Sequence, residues 1–346
     1  MKHIILSRVD NIGDVVLTLP LAGILKELYP ECKISFLAKN YTRPIIESCK
    51  NIDEIIIWEE ILQLSKTARV SYFKSLNADS IVHVFPHKII AQLAFLSKIK
   101  TRIGTARRPY NLLFCNKKVN ISRRKSNLHE AQLNCKLLAP LGLKKEKDIK
   151  EISKYFGLTN TSVLPPQFSM LLSDEKFNLI LHPKSKGSAR EWGMNNFTRL
   201  IELLPKDQFK IFVTGSTDEG KMISGFLEKY CNQITDLTGR LTLAELIAFI
   251  NAADGLVAAS TGPLHIASAL GKYALGIYAP MRPIFPTRWA PIGANSEYLV
   301  LDKECKSCKK SKDCLCIRSI KPEQVAEKVL LACQKKFDHA GRCEAI

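Results

Sequence analysis

The chain has 346 residues, of which 46% are hydrophobic, and carries a formal net charge of +18. This length exceeds what one hydrophobic core normally supports, so we expect two domains. No stretch approaches the roughly 18 consecutive apolar residues of a membrane span, and the first apolar run is too short for a signal peptide. We therefore expect a cytoplasmic protein. The positive charge favours an anionic partner: nucleic acid, an anionic membrane surface or a phosphorylated substrate.

Short apolar runs typical of buried strands alternate with amphipathic stretches in both halves of the chain. In the first half these runs are HIILS, KISFLA, EIIIW and SIVHVF, at residues 3–7, 33–38, 54–58 and 80–85. In the second half they are FNLILH, FKIFVTG, DGLVAAS and YALGIYAP, at residues 177–182, 209–215, 254–260 and 273–280. This alternation predicts an α/β protein with two parallel sheets and crossover helices.

The segment between the two halves, residues 157–177, is rich in turn formers and contains the pair Pro165-Pro166. We interpret it as the interdomain connection. The N-terminal domain then covers residues 1–165 and the C-terminal domain residues 166–320. A terminal helix is predicted by KPEQVAEKVLLACQKK, which has Pro322 at an early helical position. It forms a last segment, residues 321–346.

Parallel α/β sheets bind ligands at the carboxyl ends of their strands, so the strand-to-helix loops are the places to look for chemistry. In the first loop, Gly13 allows a sharp turn and Asp14 follows it at the start of a helix-like segment. From position alone, Asp14 is either a helix-starting carboxylate or a general base. Pro20 either kinks this helix or begins a second one.

The loop PKSKGSAREW, residues 183–192, follows the first strand of the second half. Ser185 and Ser188 supply small hydroxyl groups, and Arg190 supplies a cation with a forked geometry. Such groups, together with backbone amides, bind diphosphates. The loop lacks the glycine and Lys-Ser/Thr spacing of a P-loop. A solvated basic loop is the alternative interpretation.

Two further loops of the second half carry candidate residues. In VTGSTDEGK, residues 213–221, the carboxylate of Asp218 or Glu219 can accept hydrogen bonds from ribose hydroxyls or cap a helix. In AASTGPLHIASAL, residues 258–270, Thr261 can cap a helix whose first amides face an anion. His265 on that helix is either a structural or a reactive histidine.

Two other classes of protein fit part of this pattern. A nucleic-acid-binding protein is suggested by the charge alone, because the chain shows no basic motif interleaved with aromatic residues, and we expect no nucleic-acid partner. A dinucleotide oxidoreductase is disfavoured, since the first strand is followed by RVDNIGDVV. That segment lacks the G-x-G-x-x-G fingerprint.

Taken in order, these loops resemble those of glycosyltransferase family 9, the lipopolysaccharide heptosyltransferases. The family's Gly-Asp followed by Thr-x-Pro stands here as Gly13-Asp14 and Thr18-Leu19-Pro20, its phosphate loop as GSAREWG, and its late motif as STGPLHIASAL. The resemblance extends over nearly the whole chain and depends on the order and spacing of the motifs. It implies the GT-B fold: two facing Rossmann-like domains with parallel sheets, and a C-terminal helix that returns to the first domain.

The resemblance implies an inverting, metal-independent glycosyltransferase without a cofactor. Its donor would be a nucleotide-diphosphate sugar, ADP-heptose in particular, and its acceptor the inner core of lipopolysaccharide. Asp14 would be the general base that deprotonates the acceptor hydroxyl, while fixed cations and helix amides would neutralise the leaving diphosphate. The alternative is a family 9 transferase with another sugar donor, or with a capsule or outer-core acceptor.

The resemblance also implies which residues bind the two substrates. The donor-binding residues would be Ser185, Ser188 and Arg190 for the diphosphate, Glu219 for the ribose, and Thr261, Gly262 and His265 for the phosphates or sugar. The candidate acceptor contacts are Gly13, Arg107, Arg108, Arg123 and Arg124. The acceptor would be an anionic glycolipid at the inner face of the inner membrane, so the enzyme would make a peripheral membrane contact, which its positive charge favours.

Two positions depart from the family pattern. Arg190 stands where lysine is common, which keeps the charge but changes the geometry of the contact. Ser260 stands where the late motif usually has aspartate. The missing carboxylate leaves the identity of the donor sugar open.

The chain contains eleven cysteines, but without export signals we expect most of them to be reduced. Four of them, Cys305, Cys308, Cys314 and Cys316, are spaced closely enough for a structural zinc site. Their intervals are not those of a common zinc ribbon. We therefore expect free or partly oxidised thiols, with zinc as the alternative.

Overall fold

The computed structural model describes residues 1–123, 126–187, 189–282, 284–302, 305 and 314–343. The chain forms two compact units, Met1–Thr161 and Ser162–Ile346. The division lies within the predicted connection, close to the expected boundary after residue 165. Among the residues described, no helix is both long enough and apolar enough to cross a bilayer.

The first unit contains a parallel sheet. Its strands are β1 (His3–Ser7), β2 (Lys33–Ala38), β3 (Glu54–Ile57), β4 (Ser80–His83), β5 (Thr101–Thr105) and β6 (Lys117–Val119). Their order is β3-β2-β1-β4-β5-β6, so β1 and β4 are neighbours at the point where the order of the strands reverses. The four predicted strands of this half are confirmed, whereas β5 and β6 were not predicted.

The helices of the first unit connect these strands. They are α1 (Ile12–Val16), α2 (Pro20–Leu28), α3 (Arg43–Glu47), α4 (Trp58–Gln63), α5 (Lys66–Ser75), α6 (Lys88–Leu96), α7 (Pro109–Phe114), α8 (Glu130–Cys135) and α9 (Ile149–Ser153), with 3-10 turns at Asn40–Thr42 and Lys136–Leu141. Part of the hydrophobic core joins Ile5 and Ile81 of the sheet to Phe73 and Ile90 of the helices. Burial of these side chains, at roughly 1.5–3 kcal/mol each, is what holds the helices on the sheet.

The second unit repeats the arrangement. Its strands are β7 (Phe177–His182), β8 (Phe209–Val213), β9 (Ile234–Asp236), β10 (Gly255–Ala259), β11 (Tyr273–Tyr278) and β12 (Ser296–Val300). Their order is β12-β11-β10-β7-β8-β9, and all the pairs are parallel. Here β7 and β10 are the neighbours at the reversal. The four predicted strands are again confirmed, and β9 and β12 were not predicted.

The helices of the second unit complete its core. They are α10 (Pro166–Ser169), α11 (Met194–Leu203), α12 (Thr217–Met222), α13 (Ser224–Lys229), α14 (Leu243–Ala252), α15 (Gly262–Ala269), α16 (Pro286–Trp289), α17 (Leu315–Arg318) and α18 (Pro322–Cys343). Two of them begin at capping boxes, Ser216 with Glu219 and Thr242 with Glu245. Each box satisfies backbone N–H groups that the helix itself leaves without a partner.

The terminal helix α18 confirms the helix predicted from residue 321 onwards. It lies within the second unit, where Val325, Val329 and Cys333 belong to the hydrophobic core. It packs on α11, and Arg199 of α11 forms an ion pair with Glu323. The apolar face of the helix is thus used by the second unit, and packing towards the first unit remains a prediction.

A close backbone approach in the first unit generates a stability prediction. A Cβ atom on Gly23 in α2 would lie 2.5 Å from the carbonyl oxygen of Tyr155. We expect Gly23→Ala to lower the free energy of unfolding by about 1–3 kcal/mol, because the backbone must shift to relieve the overlap. Denaturant titration followed by circular dichroism measures this change.

The control for Gly23→Ala is Gly225→Ala in α13, where a Cβ atom would meet nothing within 4 Å. That substitution should be neutral or stabilise by about 0.5–1 kcal/mol, since alanine favours a helix over glycine. Equal stabilities for the wild type and Gly23→Ala would show that α2 and the 149–158 segment are not in close contact.

Candidate active site

Asp14 lies shortly after β1, at the carboxyl edge of the first sheet. One neighbouring strand at this edge is β4. Asn11 precedes α1, and Asp14 lies in its first turn. The Thr18 hydroxyl donates to the carbonyl of Asp14 (2.8 Å), and Pro20 is the first residue of α2. Pro20 therefore starts a second helix rather than kinking the first, since its fixed φ suits a first helical turn.

Asp14 is held by a buried guanidinium group. Arg8 follows β1 directly, and its Nε donates to Oδ1 of Asp10 at 2.8 Å, while Nη2 donates to Oδ1 of Asp14. The Asp14 side chain is 16% exposed, against 4% for Arg8. Among the described residues, nothing donates a hydrogen bond to Oδ2 of Asp14. One carboxylate oxygen is thus fixed by Arg8, and the other can accept a proton from a ligand.

Helix α8 supplies a second layer of polar groups behind Arg8. The Glu130 carboxylate is buried, and its Oε1 lies 3.5 Å from Nη1 of Arg8 and 2.7 Å from Nε of Arg123. Asn134 accepts hydrogen bonds from both guanidinium groups, at 3.5 and 3.0 Å. It donates to the carbonyl of Leu17 at 3.1 Å, which fixes its amide. The sequence analysis missed Glu130 and Asn134.

The pKa of Asp14 follows from this environment. Burial has the largest effect, and together with the neighbouring carboxylates of Asp10 and Glu130 it raises the pKa of Asp14 to about 6, although Arg8 opposes the shift. An isolated aspartate has a pKa near 3.9. Asp14 is therefore ionised at neutral pH yet more basic than an exposed aspartate, which suits a general base.

This pKa predicts the pH dependence of catalysis. Since a base acts only when deprotonated, kcat/KM should fall as the pH decreases through about 6, the pKa of Asp14. Asp10→Asn removes a like charge and leaves Arg8 less neutralised, and both changes lower the pKa of Asp14. We expect the acidic limb of the pH–rate profile to move down by on the order of 1 pH unit.

Asp207→Asn is the matched control for Asp10→Asn, because Asp207 is an exposed carboxylate in the second unit. Its pH–rate profile should coincide with that of the wild type. An acidic limb that does not move in Asp10→Asn would mean that another group controls the profile.

The candidate acceptor residues divide into two groups. Arg107 and Arg108 are exposed and follow β5, so they lie at the same sheet edge as Asp14. Arg123 is part of the buried network, because its guanidinium neutralises Glu130. Gly13 is in α1 next to Asp14. Arg124 lies outside the described residues.

In the second unit, the loop after β7 is organised by a carboxylate that the sequence analysis passed over. Glu191 pairs with Lys184, and its Oε1 accepts hydrogen bonds from the backbone N–H of Ser185 (3.2 Å) and from its hydroxyl (3.3 Å). Arg190 is half-buried. The predicted residue Ser188 lies outside the described residues. The signal for Glu191 was its place as the sole acid in a loop of cations.

The far end of the same loop is fixed by Trp192. Its indole Nε1 donates to the carbonyl of Ile320 (2.9 Å), and its ring packs edge-on against Phe197 of α11. Gly193 follows with a φ of +97°, a conformation that favours glycine, and α11 begins directly after it. The Lys184–Glu191 pair thus joins the start of the loop to its end, where the buried ring of Trp192 packs in the core.

Glu219 of the third loop is a helix-capping residue in the structure. Its Oε2 accepts hydrogen bonds from the N–H (2.7 Å) and the hydroxyl (2.9 Å) of Ser216. Burial acts to raise the pKa of Glu219, but the hydrogen bonds from Ser216 and the nearby His182 outweigh it and hold the pKa below its usual value. All of these contacts are made to Oε2. Among the described residues, nothing donates to Oε1.

The fourth loop leads from β10 into α15, at the edge next to β7. Thr261 caps the helix by position but its hydroxyl makes no capping hydrogen bond, and within the described structure Oγ1 is buried without a partner. A buried hydroxyl without a partner is costly, so its presence points to a ligand. Gly262 begins the helix beside it, and His265 is buried one turn later, 6.5 Å from the ring of Trp289.

Comparison with known proteins identifies the family. The model of glycosyltransferase family 9 (heptosyltransferase) matches residues 71–316, which is more than half of the chain. The chain belongs to glycosyltransferase family 9. It is accordingly a glycosyltransferase, as predicted, and it is related to lipopolysaccharide heptosyltransferases.

Two relatives from Haemophilus influenzae illustrate the similarity. A protein named "Putative glycosyltransferase" is 27% identical over 304 residues, which cover 84% of this chain and 86% of that protein. The lipopolysaccharide core heptosyltransferase OpsX is 21% identical over 303 residues, 82% of this chain and 80% of that protein.

Solved structures confirm the predicted GT-B fold of this family 9 glycosyltransferase. A family 9 glycosyl transferase from Veillonella parvula superimposes with a TM-score of 0.75 at 17% identity, covering 96% of this chain and 97% of that one. The ADP-heptose lipopolysaccharide heptosyltransferase II of Escherichia coli gives a TM-score of 0.74 at 16% identity, with coverages of 97% and 99%.

The cysteine segment of this glycosyltransferase is described only in part. Cys314 and Cys316 are buried and belong to the core of the second unit, and Cys305 packs against it. Cys308 lies outside the described residues. Within the described ranges, no group of three or more His, Cys, Asp or Glu residues is placed to hold a metal ion. The choice between thiols and zinc therefore remains a prediction.

Proposed function

We propose that this protein transfers a heptose from a nucleotide-diphosphate sugar to the inner core of lipopolysaccharide with inversion at the anomeric carbon. Asp14 is the general base, the loops after β7, β8 and β10 bind the donor, and the edge around β1 and β5 binds the acceptor. The observation that carries this proposal is Asp14 itself: a partly exposed carboxylate with one unoccupied oxygen and a pKa of about 6, at a ligand-binding edge of a family 9 chain.

The proposed reaction needs one base and one leaving group. Oδ2 of Asp14 accepts the proton of the acceptor hydroxyl while the oxygen of that hydroxyl forms a bond to the anomeric carbon of the donor sugar. The bond between that carbon and the diphosphate oxygen breaks on the opposite face, and a nucleoside diphosphate leaves. Arg8 keeps the carboxylate in place, because its other hydrogen bonds to Asp10 and Asn134 fix the guanidinium. Holding the base in one orientation lowers the entropic part of the barrier.

The donor site must neutralise the charge that develops on the leaving diphosphate. We assign Arg190 as the principal cation, with Ser185 and Ser188 as further donors in the same loop. The buried Oγ1 of Thr261 and the first N–H groups of α15, including that of Gly262, would face the phosphates, with His265 behind them. Oε1 of Glu219 would accept a hydrogen bond from the ribose. Protein groups, and no metal ion, would supply the charge.

The identities of the donor and acceptor follow the relatives. ADP-heptose is the donor named for the Escherichia coli heptosyltransferase II, and lipopolysaccharide core is the acceptor named for OpsX. We propose the same pair here, with Arg107 and Arg108 binding anionic groups of the glycolipid. Such an acceptor places the enzyme in the cytoplasm, in peripheral contact with the inner membrane. The alternative donor is another nucleotide sugar, which the departure at Ser260 favours.

The role of Asp14 leads to a direct test. Asp14→Asn keeps the shape and a hydrogen bond to Arg8 but cannot accept a proton. We expect turnover to fall by roughly 10²- to 10⁴-fold while nucleotide binding stays nearly unchanged. Turnover is measured by mass spectrometry with deacylated core acceptors and a panel of ADP-, GDP- and UDP-sugars.

Asp207→Asn again provides the control, because Asp207 is an exposed carboxylate that precedes β8 and lies outside the loops proposed to bind the substrates. Its turnover should match that of the wild type. Near-normal turnover of Asp14→Asn would rule out Asp14 as the base. Transfer only from a GDP- or UDP-sugar would be consistent with the proposed mechanism but would show that ADP-heptose is not the donor.

The charge supplied by Arg190 gives a separate prediction. Arg190→Ala should weaken binding of the nucleoside diphosphate by about 1.5–3 kcal/mol, the range for hydrogen bonds to charged groups, which corresponds to about 10- to 150-fold in Kd. Titration calorimetry with ADP measures this loss. Transfer by the wild type should continue in excess EDTA, because no metal bridges the diphosphate.

The matched control is Arg199→Ala, which removes the same charge from an exposed position on α11. Its Kd for ADP should equal that of the wild type. Equal losses of ADP affinity in the two variants would show that Arg190 acts only through the overall charge of the protein and not through a contact with the diphosphate. Complete inactivation by EDTA, reversed by Mg²⁺ or Mn²⁺, would contradict the metal-independent mechanism.

A further inference from the structure

Much of the net positive charge of the chain lies in one stretch of the first unit. Between Asp79 and Glu130 the sequence contains eleven lysines and arginines and neither aspartate nor glutamate, which is more than half of the net charge of +18. The proposed acceptor site uses only some of them. Six others lie on or next to helices α6 and α7, namely Lys88, Lys98, Lys100, Arg102, Lys117 and Lys118.

The same two helices expose large apolar side chains. On α7, Leu113 is 73% exposed and Leu112 54%, and on α6, Leu96 is 45% and Phe95 44% exposed. Single exposed apolar residues are common on protein surfaces, but neighbouring ones mark an interaction site. Buried residues on the opposite side of α6, such as Ile90, already attach the helix to the core. The exposed side chains of α6 are therefore not what attaches this helix to the core.

The exposed residues form one surface because the ends of the two helices meet. Helices α6 and α7 are in contact, and the rings of Phe95 and Phe114 lie 5.8 Å apart. The guanidinium of Arg102 lies 5.4 Å from the Phe95 ring centroid, and its Nε donates to the carbonyl of Phe114 at 2.7 Å. Exposed lysines lie within four residues of the end of each helix. We name as the amphiphilic face the side chains of Phe95, Leu96, Leu112 and Leu113 together with Lys98, Lys100, Lys117 and Lys118.

We propose that the amphiphilic face docks on the surface of an anionic phospholipid bilayer. The leucine and phenylalanine side chains would enter the boundary between headgroups and acyl chains, and the lysines would pair with lipid phosphates. Nucleic acid would use the cations but gain little from exposed leucines. A second copy of the chain would bring like charges together. The inference rests on the membrane contact in the proposed function and assigns that contact to a surface.

The test measures binding of the full chain to vesicles. Vesicles of phosphatidylethanolamine with phosphatidylglycerol should sediment the wild type, and vesicles of phosphatidylcholine should sediment much less of it. Binding should weaken as ionic strength rises, because exposed charges are screened. The double substitution Leu112→Ser with Leu113→Ser should lower the partition coefficient roughly tenfold or more, the contribution of about one fully buried leucine.

Each variant has a control of the same chemistry. Met170→Ser with Met222→Ser removes two exposed apolar side chains from the second unit and should leave partitioning unchanged. Lys117→Gln with Lys118→Gln should weaken binding to anionic vesicles, by about fivefold for each lysine near the surface. Lys144→Gln with Lys145→Gln removes the same charge from exposed positions elsewhere in the first unit and should have little effect.

Three results would overturn the proposal. The first is a wild type that binds no vesicles at all, and the second is that the variants of the amphiphilic face partition like the wild type. The third result is that these variants lose only self-association or oligonucleotide binding. Transfer to a deacylated, soluble acceptor separates this proposal from the proposed function. Normal transfer without vesicle binding would contradict the docking proposal and be consistent with the proposed function. Vesicle binding without transfer of any sugar would contradict the proposed function and be consistent with the docking proposal.

Discussion

The first unit depends on a buried guanidinium. Arg8 is 3% exposed, and an unpaired charge at such a position would be strongly destabilising. The fold therefore has to bring carboxylates to it from both sides: Asp10 and Asp14 from the loop after β1, and Glu130 from α8. This requirement fixes the path of the loop, the orientation of α8 and the carboxylate that we assign as the base. The contacts that stabilise the buried charge therefore also hold the carboxylate of the proposed base.

The two parallel sheets explain why the candidate residues come together in each unit. In both sheets the first strand of the unit lies next to its fourth, so the loops after these strands flank one crevice. In the second unit this brings the β7 loop with Arg190 beside the β10 loop with Thr261. In the β7 loop, Glu191 accepts a hydrogen bond from the backbone N–H of Ser185, and the Trp192 indole donates to the carbonyl of Ile320. In the proposed reaction, groups held in this way would stabilise the developing charge without having to reorganise.

The sequence predicts eight of the twelve strands, including the edge strand β3, because each lies in a largely apolar run. It misses β6, β9 and β12, which are short or lie at a sheet edge and are only partly buried, so the hydrophobic signal is weak. It also misses β5, whose run TRIGT is mostly polar. A strand with little apolar surface gives no clear hydrophobic pattern, so the sequence does not reveal it.

The candidate site shows a similar limit. Asp14 is predictable because it follows the first strand and its neighbours match a family motif. The groups that surround Arg8 are not, because Glu130 and Asn134 are more than a hundred residues away along the chain. Arg123 is a predicted acceptor contact, and the structure adds that its guanidinium neutralises Glu130. A charge can be counted from sequence, but its partner depends on the fold.

The position of α18 has a consequence for biosynthesis. The first unit is complete at Thr161, so its core can form while the rest of the chain is still being translated. The second unit cannot close its core in the same way, because Val325, Val329 and Cys333 come from the last helix. The carbonyl that receives the Trp192 indole, on Ile320, is also among the last to be made. The loop that we propose binds the donor therefore reaches its final shape only at the end of translation, after the loop that precedes Asp14.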